Sequence, residues 1–161
     1  PAIATELRSW LCLRYALIPY LMKTARDCSL SGYPVLRALA LAFPEDREAW
    51  TIDDQFLCGS DILVSPVLND SGRRSVYLPP GEWVDLWSGK RFQGGCRLPA
   101  TLSPLDQIPL YLRAGAAIPY YPEKTDCTDR MSMEKTAILE VNDGFTGIAG
   151  TALGSLCGFT V

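Results

Sequence analysis

The stretch that decides the fold runs from residue 43 to residue 87, where short apolar runs alternate with turn residues. It reads Phe43-Pro44-Glu45-Asp46, then Asp53-Asp54-Gln55-Phe56-Leu57-Cys58-Gly59, then Ile62-Leu63-Val64-Ser65-Pro66-Val67-Leu68, then Tyr77-Leu78-Pro79-Pro80-Gly81-Glu82-Trp83-Val84-Asp85-Leu86-Trp87. Runs of Val, Ile, Leu, Tyr and Trp that are broken by Pro and Gly are typical of short antiparallel strands. The stretch therefore marks a change of structural class within the chain.

The sequence before this stretch has helical periodicity. Apolar residues recur at helical spacing from Glu6 to about Cys28, which predicts one amphipathic helix. The predicted apolar face comprises Leu7, Trp10, Leu11, Leu17, Ile18, Leu21 and Ala25. Thr5 is the predicted N-cap, and Pro19 is expected to kink the helix near Tyr15 because proline lacks a backbone donor. Gly32 and Pro34 end the segment.

Two shorter elements follow this helix. The run Val35–Phe43 is almost wholly apolar, which is typical of a parallel strand buried on both faces. A short buried helix is the alternative, because alanine and leucine favour helix. Thr51 and Gly59 are then the expected start and stop of a short helix. Helix, buried strand and short helix together indicate the last unit of a (β/α)8 barrel.

Residues 61–122 are predicted to form an antiparallel β-sandwich. The segment Trp83–Trp87 alternates, and Ser88-Gly89-Lys90 is expected to close a hairpin onto Arg91 and Phe92. The run Ile108–Arg113 is another strand, and its proline favours an edge position. Residues 123–161 are weakly patterned, with a predicted strand over Ala137–Val141 and a turn over Asn142–Gly144. The fold class is thus mixed α/β followed by all-β.

Composition excludes several classes of protein. The chain has 161 residues, of which 48% are hydrophobic and 20% charged, so it is expected to fold into a globular core. The formal charge is -3 and no basic block is present, which argues against nucleic acid as a partner. No apolar run approaches the roughly 20 residues of a membrane span, so no membrane partner is predicted.

The types of residue present restrict the possible chemistry. The chain contains no histidine, which excludes a Ser-His or Cys-His nucleophile pair within it. Its six cysteines form no C-x-x-C pair, so neither a zinc site nor any other cofactor is predicted. Free thiols are favoured over a disulfide framework. Cys12 and Cys58 are expected to lie in helices.

Acidic residues are the remaining candidates for catalysis. Catalysis by a pair of carboxyl groups requires the two side chains to face each other across the reacting bond. Asp53 and Asp54 are adjacent, and successive helical residues point about 100° apart, so they cannot face each other on a helix. We interpret them as charges in the first turn of the short helix. Glu45 and Asp46 are interpreted as loop residues that cap or stay solvated.

Other polar and aromatic residues each allow two interpretations. Arg37 within an apolar run indicates a structural ion pair, with a substrate contact as the alternative. Asn69-Asp70-Ser71 is a turn that also matches the glycosylation acceptor pattern. Five aromatic residues suit either a sugar-stacking platform or a buried core, and we favour the core. They are Trp83, Trp87, Tyr111, Tyr120 and Tyr121.

In the predicted strand Trp83–Trp87, the residues Trp83, Asp85 and Trp87 share one face. Two tryptophans bury far more area than Val84 and Leu86, so the tryptophan face is predicted to be the buried one. Asp85 then needs a donor, which Arg91 across the hairpin is expected to supply.

The order and spacing of these motifs resemble glycoside hydrolase family 31 over about residues 7–122. The fragments that carry the resemblance are Leu13-Arg14-Tyr15, Ile18-Pro19-Tyr20-Leu21, Gly32-Tyr33-Pro34-Val35-x-Arg37, Phe43-Pro44-x-Asp46, Asp54-Gln55-Phe56-Leu57-x-Gly59, Ile62-Leu63-Val64-Ser65-Pro66-Val67, Tyr77-Leu78-Pro79-x-Gly81-x-Trp83 and Ile108-Pro109-Leu110-Tyr111-Leu112-Arg113-Ala114-Gly115. Residues 123–161 depart more strongly from the family.

The resemblance implies an α-glycosidase that acts with retention on terminal α-linked glucose or xylose. The family uses an aspartate nucleophile and an aspartate acid/base on earlier barrel strands, and no position of this chain matches those motifs. We therefore assign no catalytic, substrate-binding or metal-binding residue. The expected partners are an oligosaccharide substrate, met through the intact enzyme, and the missing barrel portion of the same protein.

We predict a division into the end of the catalytic barrel (residues 1–60), a proximal C-terminal β-sandwich (61–122) and a tail (123–161) that starts a distal β-domain. The chain is expected to be structural support and inactive alone. The alternative function is a freestanding carbohydrate-binding β-sandwich without catalysis.

Overall fold

The computed structural model describes residues 2–104, 106–125 and 127–159. These residues form four α-helices, namely α1 (Ala2–Ala16), α2 (Ile18–Ser31), α3 (Leu39–Ala42) and α4 (Ala152–Cys157). They also form ten strands: β1 (Leu36–Ala38), β2 (Phe56–Cys58), β3 (Ile62–Val64), β4 (Arg73–Leu78), β5 (Glu82–Asp85), β6 (Arg91–Gln93), β7 (Cys96–Leu102), β8 (Leu110–Arg113), β9 (Ala117–Tyr120) and β10 (Ala137–Glu140). The described fold is mostly antiparallel sheet with few helices.

A six-stranded sheet is the centre of the molecule. Its strand order is β1-β2-β3-β8-β5-β6, and every neighbouring pair is antiparallel. Two small antiparallel sheets accompany it, formed by β4 with β7 and by β9 with β10. The large sheet runs continuously across residue 60, because β1 and β2 precede that residue and the other four strands follow it. The proposed division into three segments stays a prediction.

Both faces of the central strands β3, β8 and β5 are buried, each in its own core. Side chains of successive strand residues alternate between the faces. Ile62, Val84 and Leu112 lie in a core with α1, α4, β9 and β10. The neighbouring residues Leu63, Trp83 and Tyr111 lie in a second core with β4 and α3, against which Leu98 of β7 packs. Alternating large apolar residues thus hold three layers together.

The predicted single helix from Glu6 to Cys28 is two helices. The break falls at Leu17, two residues after Tyr15, near which Pro19 was predicted to kink the helix, and Pro19 lies in the first turn of α2. Proline is tolerated there because its missing N–H has no intrahelical acceptor. The helix α1 also begins at Ala2, before the predicted N-cap Thr5. The prediction that Gly32 ends the segment is confirmed, with Gly32 as a left-handed C-cap at φ 77°.

The helix α2 is fixed to the sheet through Tyr20. The Tyr20 hydroxyl donates to the carbonyl of Cys58 at 2.8 Å and accepts from the backbone N–H of Asp61 at 3.3 Å. Gly59 between them has φ 68°, and a Cβ built there would lie 2.3 Å from the Tyr20 hydroxyl. This position therefore requires glycine, because a side chain would push α2 off the sheet.

Two elements predicted as barrel parts have other structures. The run Val35–Phe43 is a three-residue strand followed by the four-residue helix α3, and β1 is antiparallel to β2 rather than parallel. Leu36 and Ala38 are exposed, so the prediction of burial on both faces was wrong. The predicted helix from Thr51 to Gly59 is a 3-10 turn over Ala49–Thr51 and then strand β2. Cys58 accordingly lies in a strand, whereas Cys12 lies in a helix as predicted.

The predicted hairpin is confirmed, since Trp83 pairs with Phe92 and Val84 with Arg91. The prediction that Trp83 and Trp87 share a face was wrong. The Asp85 carboxylate accepts from the backbone N–H of Trp87 at 3.1 Å and of Ser88 at 2.7 Å, which ends the strand and redirects the chain. Arg91 instead pairs with Glu82 and Asp143.

The strand β8 is central, and its predicted edge position was wrong. It lies between β3 and β5. Pro109 precedes the first residue of the strand, and its carbonyl accepts from the Ser65 N–H at 3.0 Å. The missing donor of proline therefore lies outside the ladder, where it costs no strand hydrogen bond.

The tail joins the fold through its own strand and helix. β10 pairs with β9, which confirms the predicted strand, and the Asn142 side chain accepts from Gly144 N–H at 2.9 Å in the predicted turn. Leu139, Ile148 and Leu153 lie in the same core as α1. Of the helices described, none combines the length and apolar character needed to cross a bilayer.

Candidate functional site

Asp54 is held by an arginine rather than placed opposite another carboxylate. Arg74 donates to the Asp54 carboxylate through Nη1 and to the Asp54 carbonyl through Nη2 at 2.9 Å. Its Nε donates to the buried Ser65 hydroxyl at 2.8 Å. The prediction that Asp53 and Asp54 lie in a helical first turn was wrong, because residues 52–55 are extended loop and Asp53 is exposed.

The charge state of Asp54 suits this structural role. The hydrogen bond from Arg74 holds the pKa of the Asp54 carboxyl below its usual range, against a smaller opposing contribution from burial. A general acid in glycoside hydrolysis needs the opposite shift, since it must carry a proton near neutral pH. Asp54 therefore stabilises a loop and is poorly suited to deliver a proton.

The loop over residues 43–55 is tied to β4 at two further points. The Tyr77 hydroxyl donates to the Asp46 carboxylate at 2.6 Å, and Asp46 also accepts from the Glu48 N–H at 3.1 Å. The Gln55 side chain donates to the Tyr77 carbonyl and accepts from the Tyr77 N–H, both at 2.8 Å. Asp46 and Glu45 lie in a loop, as predicted, where Asp46 accepts these two hydrogen bonds and Glu45 is exposed. The sequence predicted no role for Arg74 and did not predict the contacts of Gln55 and Tyr77, although both lie in the quoted motifs.

Arg37 makes local contacts instead of the ion pair that the sequence predicts. Its Nε donates to the Pro34 carbonyl at 3.0 Å, and its guanidinium lies 5.3 Å from the centre of the Tyr33 ring. Its Nη2 also lies 3.5 Å from the Cys28 sulfur. These contacts fix the turn between α2 and β1. The segment Asn69–Gly72 is likewise a turn, in which the Ser71 hydroxyl donates to the Asn69 side chain at 2.6 Å.

The aromatic residues that could have stacked a sugar lie in the cores. Trp83 is fully buried, and Tyr111, Tyr120 and Tyr121 are also buried. Trp87 is half-buried, donates through Nε1 to the Ile108 carbonyl at 2.8 Å, and packs edge-on against Trp10 and Phe159. The prediction of a core role is confirmed for the four buried rings, because no ring face among them is open to solvent.

Large apolar side chains are concentrated on the exterior of the N-terminal third. Nine of the thirteen exposed large hydrophobic residues in the described structure fall within residues 3–50. We call these the N-terminal apolar side chains: Ile3, Leu7, Leu11, Met22, Leu30, Tyr33, Leu36, Leu41 and Trp50. Residues that are four apart on a helix share a face, so Ile3, Leu7 and Leu11 form a stripe along α1. An exterior this apolar is typical of an interface.

The predicted apolar face of the first helix was only partly correct. Leu7 and Leu11 are exposed, whereas the face of α1 and α2 that packs inward carries Leu13, Ala16 and Tyr20. The strand β1 adds a second open feature, because it is the edge of the six-stranded sheet and pairs only with β2 among the described strands. The candidate functional site is therefore an interface rather than a pocket.

The remaining reactive groups are the cysteine thiols and the side chains that could bind a metal ion. All six cysteines are free thiols, as predicted. Within residues 2–104, 106–125 and 127–159, His, Cys, Asp and Glu side chains do not gather in groups of three or more that could hold a metal ion.

Comparison with known proteins matches this architecture. The model of the glycosyl hydrolase family 31 C-terminal domain matches residues 32–118, more than half of the chain. The chain is 38% identical over 109 residues to an alpha-xylosidase of Saccharolobus solfataricus, which covers 66% of this chain and 15% of that enzyme. It is 32% identical over 113 residues to alpha-glucosidase 2 of Bacillus thermoamyloliquefaciens, which covers 70% of this chain and 14% of that enzyme.

The fold is also similar to that of a solved family 31 structure. The family 31 dextranase of Flavobacterium johnsoniae superimposes with a TM-score of 0.69 and 34% identity, over 75% of this chain and 15% of the dextranase. The chain spans only about a seventh of the length of these relatives. The resemblance read from the sequence motifs is thus confirmed by family, relatives and fold, and the chain belongs to glycosyl hydrolase family 31, of which it carries the C-terminal domain.

Proposed function

We propose that this chain is the C-terminal part of a retaining α-glycosidase that hydrolyses terminal α-linked glucose or xylose. In this proposal the chain buttresses the catalytic barrel and supplies no catalytic carboxylate. Residues 1–60 form the C-terminal end of the barrel, and the N-terminal apolar side chains are covered by the rest of the barrel in the intact enzyme. The barrel itself, as the missing portion of the same protein, is the partner.

The observation that carries the proposal is the uneven distribution of exposed apolar residues. Leu30 is 82% exposed and Ile3 is 80% exposed, and only four of the thirteen exposed large hydrophobic residues in the described structure lie beyond residue 50. Burying one leucine is worth about 1.5–3 kcal/mol, so a row of such residues strongly favours a covered state. The relatives matched by the chain are several times longer, which supports a covering segment from the same protein.

The carbohydrate-binding alternative has less support. A sugar platform needs an aromatic ring face that is open to solvent, and four of the five candidate rings are buried. The lowered pKa of Asp54 and its arginine partner also support a structural rather than catalytic use of this carboxylate.

Self-association of the isolated chain tests the proposal. We expect the chain to associate because the stripe on α1 has no cover, and we expect the double variant Leu7→Glu/Leu11→Glu to weaken association roughly tenfold or more. Sedimentation equilibrium over a range of concentrations gives the association constant. Glutamate favours helix about as well as leucine, so α1 should persist in the variant.

The matched control is Leu68→Glu/Leu102→Glu, which adds the same charge at two leucines that are 69% and 68% exposed outside the N-terminal third. This control should leave association unchanged. A wild-type chain that stays monomeric at all concentrations, or an equal effect of both double variants, would count against an N-terminal interface.

A further inference from the structure

The helices α1 and α4 pack together, and a groove lies alongside their contact. Its volume is about 630 Å³, and its lining includes Arg8, Cys12, Lys124, Leu156 and Cys157. Two of these residues are cysteines, one from each helix. The aromatic rings of Trp10, in α1, and Phe159, which follows α4, pack edge-on at 5.7 Å and join these two parts of the chain independently of the thiols.

Cys12 and Cys157 lie beside each other across the helix pair. The Cys12 sulfur donates to the carbonyl of Leu156, the residue before Cys157, at 3.6 Å, and both cysteines line the groove. Cys157 is 4% exposed. Burial, and then the neighbouring Cys12, raise the pKa of the Cys157 thiol. Cys12 is half-buried and lines the groove, so reagents reach it first.

We propose that Cys12 and Cys157 are a redox-modification site, which closes reversibly to an intramolecular disulfide in exchange with a low-molecular-weight disulfide such as oxidised glutathione. The site links the N-terminal helix to the C-terminal helix. Neither residue lies in the segment that matches the family model, residues 32–118, so the site belongs to this chain's own ends.

The exchange proceeds in two balanced steps. The Cys12 thiolate attacks one sulfur of oxidised glutathione, the glutathione S–S bond breaks, and one glutathione leaves as a thiol after taking up the proton lost by Cys12. The Cys157 thiolate then attacks the Cys12 sulfur and displaces the second glutathione, which takes up the proton of Cys157. The two protein thiols are oxidised by two electrons in total, and one glutathione disulfide is reduced to two thiols.

Closing this bond would constrain nearly the whole chain. A disulfide removes conformational freedom from the unfolded state, and the effect grows with the length of the closed loop. For a chain of this size we expect the Tm of the oxidised form to exceed that of the reduced form by about 5–15 °C.

The experiment incubates the native chain in oxidised glutathione, quenches it with acid, and maps non-reduced peptides by mass spectrometry. We expect a Cys12–Cys157 cross-linked peptide two hydrogen atoms lighter than the sum of its parts, reversal by excess reduced glutathione, and the stated rise in Tm. Cys12→Ser and Cys157→Ser should each abolish the cross-link. Cys96→Ser removes an exposed thiol outside the groove and should keep it.

The wild-type peptide map tests whether Cys12 and Cys157 form a disulfide even if a cysteine variant fails to fold. A map that contains only glutathione adducts, or a cross-link between another pair of cysteines, would overturn the proposal. A Cys12–Cys157 bond that leaves the Tm unchanged would overturn the proposed link between the helices.

Discussion

Trp83→Ala is expected to cost about 3–5 kcal/mol of unfolding free energy, because it removes a fully buried indole from the second core. The indole Nε1 donates to the Pro79 carbonyl at 2.8 Å, and the Arg113 guanidinium lies 4.8 Å from the ring centre. The substitution therefore leaves a cavity and removes both contacts. Urea unfolding of the variant and the wild type gives the difference.

Trp50→Ala is the matched control, since Trp50 is 65% exposed and its Nε1 also donates to a proline carbonyl, that of Pro44 at 3.0 Å. Loss of this exposed ring should cost no more than about 1 kcal/mol. If Trp83→Ala left stability unchanged but abolished binding of oligosaccharides, the structural assignment of Trp83 would be wrong and the carbohydrate-binding function would be favoured.

Arg74→Met is expected to cost about 2–3 kcal/mol at neutral pH, because it leaves the buried Ser65 hydroxyl without its partner and Asp54 without its counter-charge. The Asp54 side chain is 38% exposed, so water solvates its carboxylate after Arg74 is removed. The cost is therefore lower than for a fully buried ion pair. Denaturant unfolding measures the loss. Arg97→Met, at the half-exposed pair with Glu48, should cost at most about 1 kcal/mol.

The same pair makes stability depend on pH. The pKa of Asp54 is lower in the folded chain than in the unfolded chain, where it is about 3.9. The contribution of the pair is therefore complete above that unfolded value and is lost as pH falls through the lower folded value. The stability difference between wild type and Arg74→Met should shrink in acid. A difference that is constant from neutral pH to about pH 2 would contradict this.

Strands could be predicted where a run of strand-forming residues was bounded by turn-forming residues. The hairpin that joins Trp83–Trp87 to Arg91 and Phe92 followed from a short turn after an alternating run, although its register was not predicted, and the strand Ala137–Glu140 followed from its flanking turn. Residues 35–43 were misassigned because a run of leucine and alanine has the same composition in a buried strand and in a helix. The structure divides this run between β1 and α3.

Long-range polar contacts could not be predicted. The Arg74–Asp54 pair joins residues 20 apart through a loop, and its geometry depends on how β4 lies against that loop. The exposure of Leu7 and Leu11 in particular does not follow from the sequence pattern of α1. Helical periodicity identifies an apolar stripe but does not say whether the stripe packs within the chain or against another segment.

Hydrolysis of aryl α-glucosides and aryl α-xylosides by the purified 161-residue chain tests the central claim most directly. The account predicts no turnover above a mock purification, because the proposed function places both catalytic carboxyl groups in a barrel outside this chain. Asp53→Asn and Asp54→Asn should leave that baseline unchanged. Turnover well above the baseline, lost on substitution of Asp53 or Asp54, would contradict the account and place catalysis within this chain.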